Sequence, residues 1–178
     1  HSPGPVVDAV TRRLGIAGGA TAMLPTEDAE VVAAELTRRF GLGQWSFSLS
    51  ATDANRWALR LSRNLTGRPK VLVHSECYHG SVDESFVVAT PDGTRPRPGT
   101  EGGPGEVTTY SRAVEFNDLD AMAAALQDVA MYAPAVPVGA NVLAAPISDP
   151  VEIRHFLVEQ VTGTVRWREC VGAMAARG

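Results

Sequence analysis

Lysine is almost absent from this 178-residue chain. Its 16 basic residues are arginines apart from Lys70, so any chemistry that requires a side-chain amine must use that residue or go without. Cysteine is also scarce, because Cys77 and Cys170 are the only two. Two cysteines do not make the disulfide framework of a small secreted domain.

Two other absences exclude classes of partner. An apolar run of the roughly 20 residues that a membrane helix needs is missing, and no signal peptide is visible. The formal net charge of −4 lacks the basic excess that is usual for a nucleic-acid-binding protein. The sequence therefore predicts a cytoplasmic protein with neither a membrane nor a nucleic-acid partner. Its 44% hydrophobic content is sufficient for a buried core.

Helix signals are clear at three places in the first part of the chain. A short helix is predicted over residues 5–14, with a proline in its first turn. A second helix begins after Thr26, a good N-cap residue, and ends at Gly41, a typical C-cap residue. A third runs from Asp53 to about Thr66, where a glycine and a proline end it.

Short apolar or alternating segments predict the strands. They are residues 45–50, 70–74, 85–89 and 107–116. Residues 91–106 are rich in glycine and proline and predict a long flexible loop. Asn117 or Asp118 is then expected to cap a helix that continues through Gln127.

The character of the chain changes after Ala130. Residues 131–146 have no clear period, and a helix is predicted over residues 150–161 with a proline at its first position. Residues 164–171 are interpreted as a strand or an extended segment, followed by a frayed tail.

Strands and helices alternate through the first 130 residues. This order predicts an α/β fold of three layers around a mostly parallel sheet. Ligands of such sheets bind beyond the carboxyl ends of the strands. The segments that follow Ser50 and His74 are therefore the candidate functional sites.

The first candidate is the strand-to-helix turn Ser50-Ala51-Thr52-Asp53-Ala54-Asn55. The first N–H groups of a helix lack internal partners, and the positive end of the helix dipole points outward. Together with the hydroxyls of Ser50 and Thr52, these groups suit a phosphate. The alternative is that Ser50 or Thr52 only caps the helix, since serine and threonine are common caps.

The second candidate is the loop His74-Ser75-Glu76-Cys77-Tyr78-His79-Gly80. His74, Cys77 and His79 could bind a metal, although a zinc site usually takes its ligands from two separated pairs. Cys77 could be a nucleophile with a histidine base, although such pairs are usually distant in sequence. The remaining alternative is a structural loop with a buried Cys77 and a tyrosine packed on the sheet edge.

Four motifs follow one another in the chain: Ser50-Ala51-Thr52-Asp53-Ala54-Asn55, Ala58-Leu59-Arg60-Leu61-Ser62-Arg63, Thr66-Gly67-Arg68-Pro69-Lys70 and Cys77-Tyr78-His79-Gly80. In this order they resemble the class III aminotransferases, which are pyridoxal 5'-phosphate (PLP) enzymes of fold type I. The glutamate-1-semialdehyde aminomutase type is the most similar. The resemblance covers residues 1 to about 130 and implies part of the large domain of such an enzyme.

The resemblance implies a role for each matching residue. Ser50, Ala51 and Thr52 would hold the PLP phosphate, with Ala51 in place of the family's usual glycine. Tyr78 would lie against the pyridine ring as an aromatic platform, and His79 would support it from beside the ring. Family members are homodimers that act on small-molecule amino donors and acceptors, so the same is expected here.

The chain also departs from the family. The Schiff-base lysine and the aspartate that pairs with the pyridinium nitrogen belong to the part of the family's pattern that residues 131–178 do not match. Lys70 occupies a different position of the pattern, at the start of a strand, with its amine expected to point away from the ligand edge. The chain is therefore expected to be a fragment or a shortened version, cut at both ends and inactive alone.

The leading hypothesis is PLP-dependent transfer of an amino group, by an aminotransferase or aminomutase. The alternative is a non-catalytic module that binds PLP or phosphate, or mediates dimerisation, without a Schiff-base lysine. A third hypothesis is an unrelated α/β enzyme that uses His74 and His79, and a chelator would abolish its activity.

Overall fold

The computed structural model describes residues 2–19, 21, 24–103 and 105–177. The chain divides into two compact units, His1–Ser50 and Ala51–Gly178. No helix in the described ranges is both long and apolar enough to cross a membrane.

The first unit contains helices α1 (Gly4–Ala17) and α2 (Glu27–Phe40). The predicted cap of α2 is confirmed, because the Thr26 side chain accepts a hydrogen bond from the backbone N–H of Ala29 at 3.2 Å. Gly41 ends the helix in the left-handed conformation, as a C-cap glycine does.

The strand predicted over residues 45–50 is wrong, because this segment is irregular. Trp45 instead packs near Phe40 with ring centroids 6.0 Å apart. Its indole N–H lies 2.9 Å from the Thr37 hydroxyl and 3.0 Å from the Leu42 carbonyl. A strand requires a paired neighbour, and the described part of this unit contains none.

The second unit begins with helix α3 (Ala51–Thr66), close to its predicted bounds. The other elements are β1 (Val71–His74), β2 (Val87–Thr90), β3 (Gly93–Pro96), β4 (Ser111–Val114), α4 (Leu119–Leu126), β5 (Val138–Ala140), β6 (Ala145–Ile147), α5 (Pro150–Glu159) and α6 (Trp167–Ala175). Strands β1 and β4 pair in parallel, with Val71 opposite Ser111. Two antiparallel hairpins, β2–β3 and β5–β6, accompany them.

The core lies on both sides of β4. Ala113 packs with Val73 and Val87 in one cluster, and Val114 packs with α4 residues in another. Neighbouring residues of a strand point to opposite faces, which explains why one strand serves both clusters. Helix α5 packs on the α4 side, where Arg154 Nη2 donates to the Val129 carbonyl at 2.6 Å. The domain boundary near residue 130 stays a prediction.

Two local expectations were wrong, those for residues 91–106 and 164–171, and residues 131–146 contain strands for which no prediction was made. Residues 91–106 contain strand β3, which forms a hairpin with β2 across a two-residue turn at Pro91 and Asp92. Residues 131–146 contain β5 and the start of β6. The predicted strand or extended segment at 164–171 gives way to helix α6, which also includes the start of the predicted frayed tail. These hairpins are short, so they leave little periodicity in the sequence.

Candidate functional site

The two candidate segments meet in the structure. We call residues 75–81, which follow β1, the Tyr78 loop. The Thr52 side-chain oxygen in the first turn of α3 accepts a hydrogen bond from the Ser81 N–H at 3.1 Å. Three residues further along α3, the Asn55 side-chain amide donates to the His79 carbonyl at 2.9 Å. The start of α3 and the Tyr78 loop therefore form one site beyond the carboxyl end of β1.

Gly80 allows this close approach. Its φ is 81°, in the left-handed region that favours glycine. A β-carbon built at this position would lie 2.1 Å from Thr52 Oγ1 and 2.8 Å from Thr52 Cα. Any side chain at position 80 would therefore push the Tyr78 loop away from α3.

Ser75 fixes the other end of the Tyr78 loop to the strands. This buried residue donates its hydroxyl to Glu115 Oε1 at 2.9 Å and accepts the Ala89 N–H at 2.8 Å. Its own N–H donates to the Val114 carbonyl at 2.8 Å. Because β1 and β4 are parallel, both of their carboxyl ends lie here, and Ser75 links them to β2.

The Tyr78 side chain is 76% exposed, and His79 is exposed beside it. The backbone before and after Tyr78 is nevertheless held by hydrogen bonds. Arg97 Nη2 donates to the carbonyl of the Cys77–Tyr78 peptide at 3.1 Å, and Asn55 donates to the carbonyl of the His79–Gly80 peptide. An exposed aromatic ring is thus carried by a restrained backbone.

The start of α3 is the part of the site where the sequence predicts phosphate binding. Ala51 is exposed and Thr52 is half-buried in the first turn. Backbone N–H groups and the positive end of the dipole meet at this point, as they do in phosphate sites on helix N-termini. Ser50 is the last residue of the first unit, and its contact with a phosphate stays a prediction.

Two arginines hold α3 in place along the Tyr78 loop and the turn that follows it. Arg56 Nη2 donates to the Ser81 carbonyl at 2.8 Å, and Arg63 forms an ion pair with Glu84. Burial acts to raise the pKa of the Glu84 carboxyl, but hydrogen bonds from Arg63 and from the backbone outweigh it. The net effect is a lowered pKa, so Glu84 is ionised and keeps the ion pair with α3.

The metal alternative has no geometric support. In the described ranges, no three His, Cys, Asp or Glu residues lie together as metal ligands would. The His74 ring instead meets Phe116 edge-on at 6.0 Å. Cys77 is a free, half-buried thiol.

Lys70 lies before the first residue of β1 and is exposed. The Tyr78 loop follows the last residue of the same strand. Lys70 therefore belongs to the opposite end of β1 from the site, as the sequence predicts.

The sequence did not predict the contacts of four residues that shape the site, namely Ser75, Arg97, Glu115 and the side-chain amide of Asn55. Asn55 lies inside a quoted motif, but only the fold shows that its side chain reaches the His79 carbonyl. Arg97 lies in the glycine- and proline-rich stretch, where no local pattern marks a contact 20 residues back along the chain.

These elements match part of the fold of solved fold type I PLP enzymes. No protein-family model matches the chain. A glutamate-1-semialdehyde 2,1-aminomutase of Akkermansia muciniphila is 34% identical over 131 residues, which are 71% of this chain and 30% of that protein.

Solved structures agree with this relative. The glutamate-1-semialdehyde aminomutase of Pseudomonas aeruginosa PAO1 matches with a TM-score of 0.62 and 44% identity, over 91% of this chain and 35% of that chain. A variant of that enzyme was crystallised in complex with PMP, pyridoxamine phosphate. An omega-transaminase from Sphaerobacter thermophilus matches with a TM-score of 0.56 and 31% identity, over 71% of this chain and 30% of that chain.

The predicted resemblance to class III PLP-dependent enzymes is therefore confirmed, and so is the α/β fold class. The chain spans about a third of the length of the relatives that it matches.

Proposed function

We propose that the site binds the phosphate and the ring of PLP, as part of an enzyme that transfers an amino group. The contact between Thr52 and the Tyr78 loop carries this proposal, because it joins the predicted phosphate site to the predicted ring platform. The relatives are PLP-dependent aminomutases and transaminases, one of them in complex with PMP.

The residues present fit the cofactor. A phosphate needs hydrogen-bond donors and positive potential, and the amide groups at the start of α3 with the Thr52 hydroxyl provide both. A pyridine ring needs a flat apolar surface, and the exposed Tyr78 ring provides one. His79 lies next to Tyr78 and is exposed on the same loop, where it supports the ring from the side.

PLP, when bound, supplies the electron sink that amino-group chemistry needs. The residues of this chain bind and orient it. Thr52 holds the phosphate, Tyr78 restricts the ring from one face, and Gly80 keeps these two residues in register.

The remaining chemistry requires residues outside this sequence. Its one lysine, Lys70, is at the wrong end of β1 for a ligand at the Tyr78 loop. We therefore propose that this chain alone does not turn over, and that residues 131–178 supply neither the lysine nor the pairing aspartate. A homodimer and small-molecule amino donors and acceptors follow from the resemblance as further parts of the proposal.

The position of Lys70 also favours a second candidate, a non-catalytic module that binds PLP or phosphate. Both candidate functions require the same ligand at the same site. They differ in turnover, which only a protein containing a suitably placed lysine would show.

The test is a titration with pyridoxamine phosphate, which has no aldehyde and so cannot attach to Lys70 or to the chain's amino terminus. The fluorescence anisotropy of pyridoxamine phosphate itself reports binding. We expect saturable binding that excess inorganic phosphate displaces. Binding that phosphate leaves unchanged would contradict the proposed site.

A further inference from the structure

We propose that Arg97 is a positioning residue for Tyr78, and that it acts together with Asn55, which holds the chain on the other side of Tyr78 in sequence. This inference rests on the proposed function, because it concerns the face that Tyr78 offers to a bound pyridine ring. Neither residue is expected to touch the cofactor.

Hydrogen bonds hold Arg97 itself in place. Its N–H donates to the Phe86 carbonyl at 2.9 Å, and its carbonyl accepts the Thr100 hydroxyl at 2.6 Å. The side chain is only 18% exposed, so few other orientations are open to it. Arg97 therefore offers Cys77 a donor from a fixed position.

The contact of Arg97 with Cys77, rather than its ion pair with Glu76, fixes the loop. Nη2 lies 3.1 Å from the Cys77 carbonyl, whereas Nε lies 3.7 Å from the Glu76 carboxylate, which is too far for a hydrogen bond. The Glu76 side chain is 75% exposed, and ion pairs in such surroundings contribute little.

The Tyr78 loop needs such restraints for two reasons. The Tyr78 side chain is largely exposed, so packing does not set its direction. Glu76 has a φ of 60°, a left-handed conformation that residues with a side chain adopt at a cost. Arg97 holds the carbonyl of the peptide that precedes Tyr78, and Asn55 holds the His79 carbonyl just after Tyr78, so these two hydrogen bonds restrain the backbone that carries the ring.

The sequence offers a matched control for Arg97. Arg95 lies two residues earlier on β3 and is exposed. Replacing either arginine by methionine removes the same charge and keeps a similar stem. Only the replacement at position 97 removes the donor to Cys77.

The experiment measures pyridoxamine phosphate affinity by fluorescence anisotropy and inorganic phosphate affinity by phosphorus NMR. We expect Arg97→Met to weaken pyridoxamine phosphate binding about two- to tenfold, the range that an aromatic contact is worth. Phosphate affinity should stay unchanged, and Arg95→Met should change neither. Arg97→Lys keeps a cation that can donate to Cys77, so it should recover part of the loss. The positioning role would be overturned if Arg97→Met and Arg97→Lys weakened binding equally, and if each weakened pyridoxamine phosphate and inorganic phosphate to the same extent.

A double variant separates this inference from the proposed function. If Arg97 acts through Tyr78, Arg97→Met should add no further loss in a Tyr78→Ala background. Additive losses would overturn the positioning role. Unchanged affinity in Tyr78→Ala alone would overturn the proposed function itself. Weakened binding in Tyr78→Ala together with normal binding in Arg97→Met would overturn only the role of Arg97.

Discussion

Gly80 lies against Thr52 so closely that a β-carbon at position 80 would stand 2.1 Å from the threonine hydroxyl oxygen. The contact joins the loop after β1 to the first turn of α3. The proposed phosphate site on the helix and the proposed ring site on the loop are therefore held together at this contact.

Gly80→Ala should both destabilise the protein and weaken cofactor binding. The left-handed φ costs about 1–2 kcal/mol for an L-residue, and the clash with Thr52 adds about 1–3 kcal/mol. Gly67→Ala is the matched control, since Gly67 also has a positive φ of 68° but nothing within 4 Å of the new β-carbon. Urea unfolding of the two variants should separate the clash from the backbone cost. Equal destabilisation would contradict the contact at Gly80.

Tyr78→Ala should weaken binding of pyridoxamine phosphate by about 0.5–1.5 kcal/mol, because it removes the aromatic face. Tyr78→Phe keeps that face and should bind almost as tightly as the natural sequence. The Tyr78 side chain is largely exposed, so neither variant should change the unfolding midpoint much. Weak binding by the phenylalanine variant would show that the hydroxyl matters rather than the ring.

Thr52→Ala should weaken binding by about 1.5–3 kcal/mol, the usual range for a hydrogen bond to a charged group. The hydroxyl oxygen already accepts the Ser81 N–H, and its hydrogen remains available to donate. Thr52→Ser keeps the hydroxyl and should retain most of the affinity. Calorimetric titrations with pyridoxamine phosphate and with pyridoxamine would show whether the lost affinity comes from the phosphate contact. Pyridoxamine has no phosphate, so Thr52→Ala should not weaken its binding.

Lys70→Ala should leave binding of pyridoxamine phosphate unchanged, since Lys70 is exposed before β1 and the site lies beyond the other end of that strand. Weaker binding of pyridoxamine phosphate in this variant would contradict the placement of Lys70 away from the site.

The Glu84 ion pair should make the free energy of unfolding depend on pH. The folded-state pKa of Glu84 is lowered from its ordinary value of 4.5, so this carboxylate stabilises the fold above that value and loses its contribution as the pH falls through the folded pKa. Glu84→Gln removes this dependence. Urea unfolding should show a gap between the two proteins at pH 7 that closes at acidic pH, and a gap independent of pH would count against the ion pair.

Local signals predicted helices α1 to α5 but not α6. Thr26, Asp118 and Asp149 each carry a side-chain oxygen that accepts an N–H of the following first turn, and capping chemistry of this kind is visible in a short stretch of sequence. The alternation at 45–50 was misleading, because the Trp45 indole donates instead to Thr37 of α2 and to the Leu42 carbonyl just after that helix.

The candidate site likewise contains residues that the local sequence identifies and residues that it does not. Thr52 and Tyr78 could be found because each lies within a short sequence motif. Arg97 and Ser75 could not, because their contacts with Cys77, Glu115 and Ala89 exist only once the strands are paired.

In the proposed site, α3 and the Tyr78 loop hold the phosphate and the ring of one ligand. The most direct test is calorimetric titration of the chain with pyridoxamine phosphate and with pyridoxamine. We predict saturable binding with one ligand per chain, at least about tenfold tighter for the phosphorylated compound, since hydrogen bonds to a charged group are worth about 1.5 kcal/mol or more. Equal affinity for the two compounds, or binding to neither, would contradict the account.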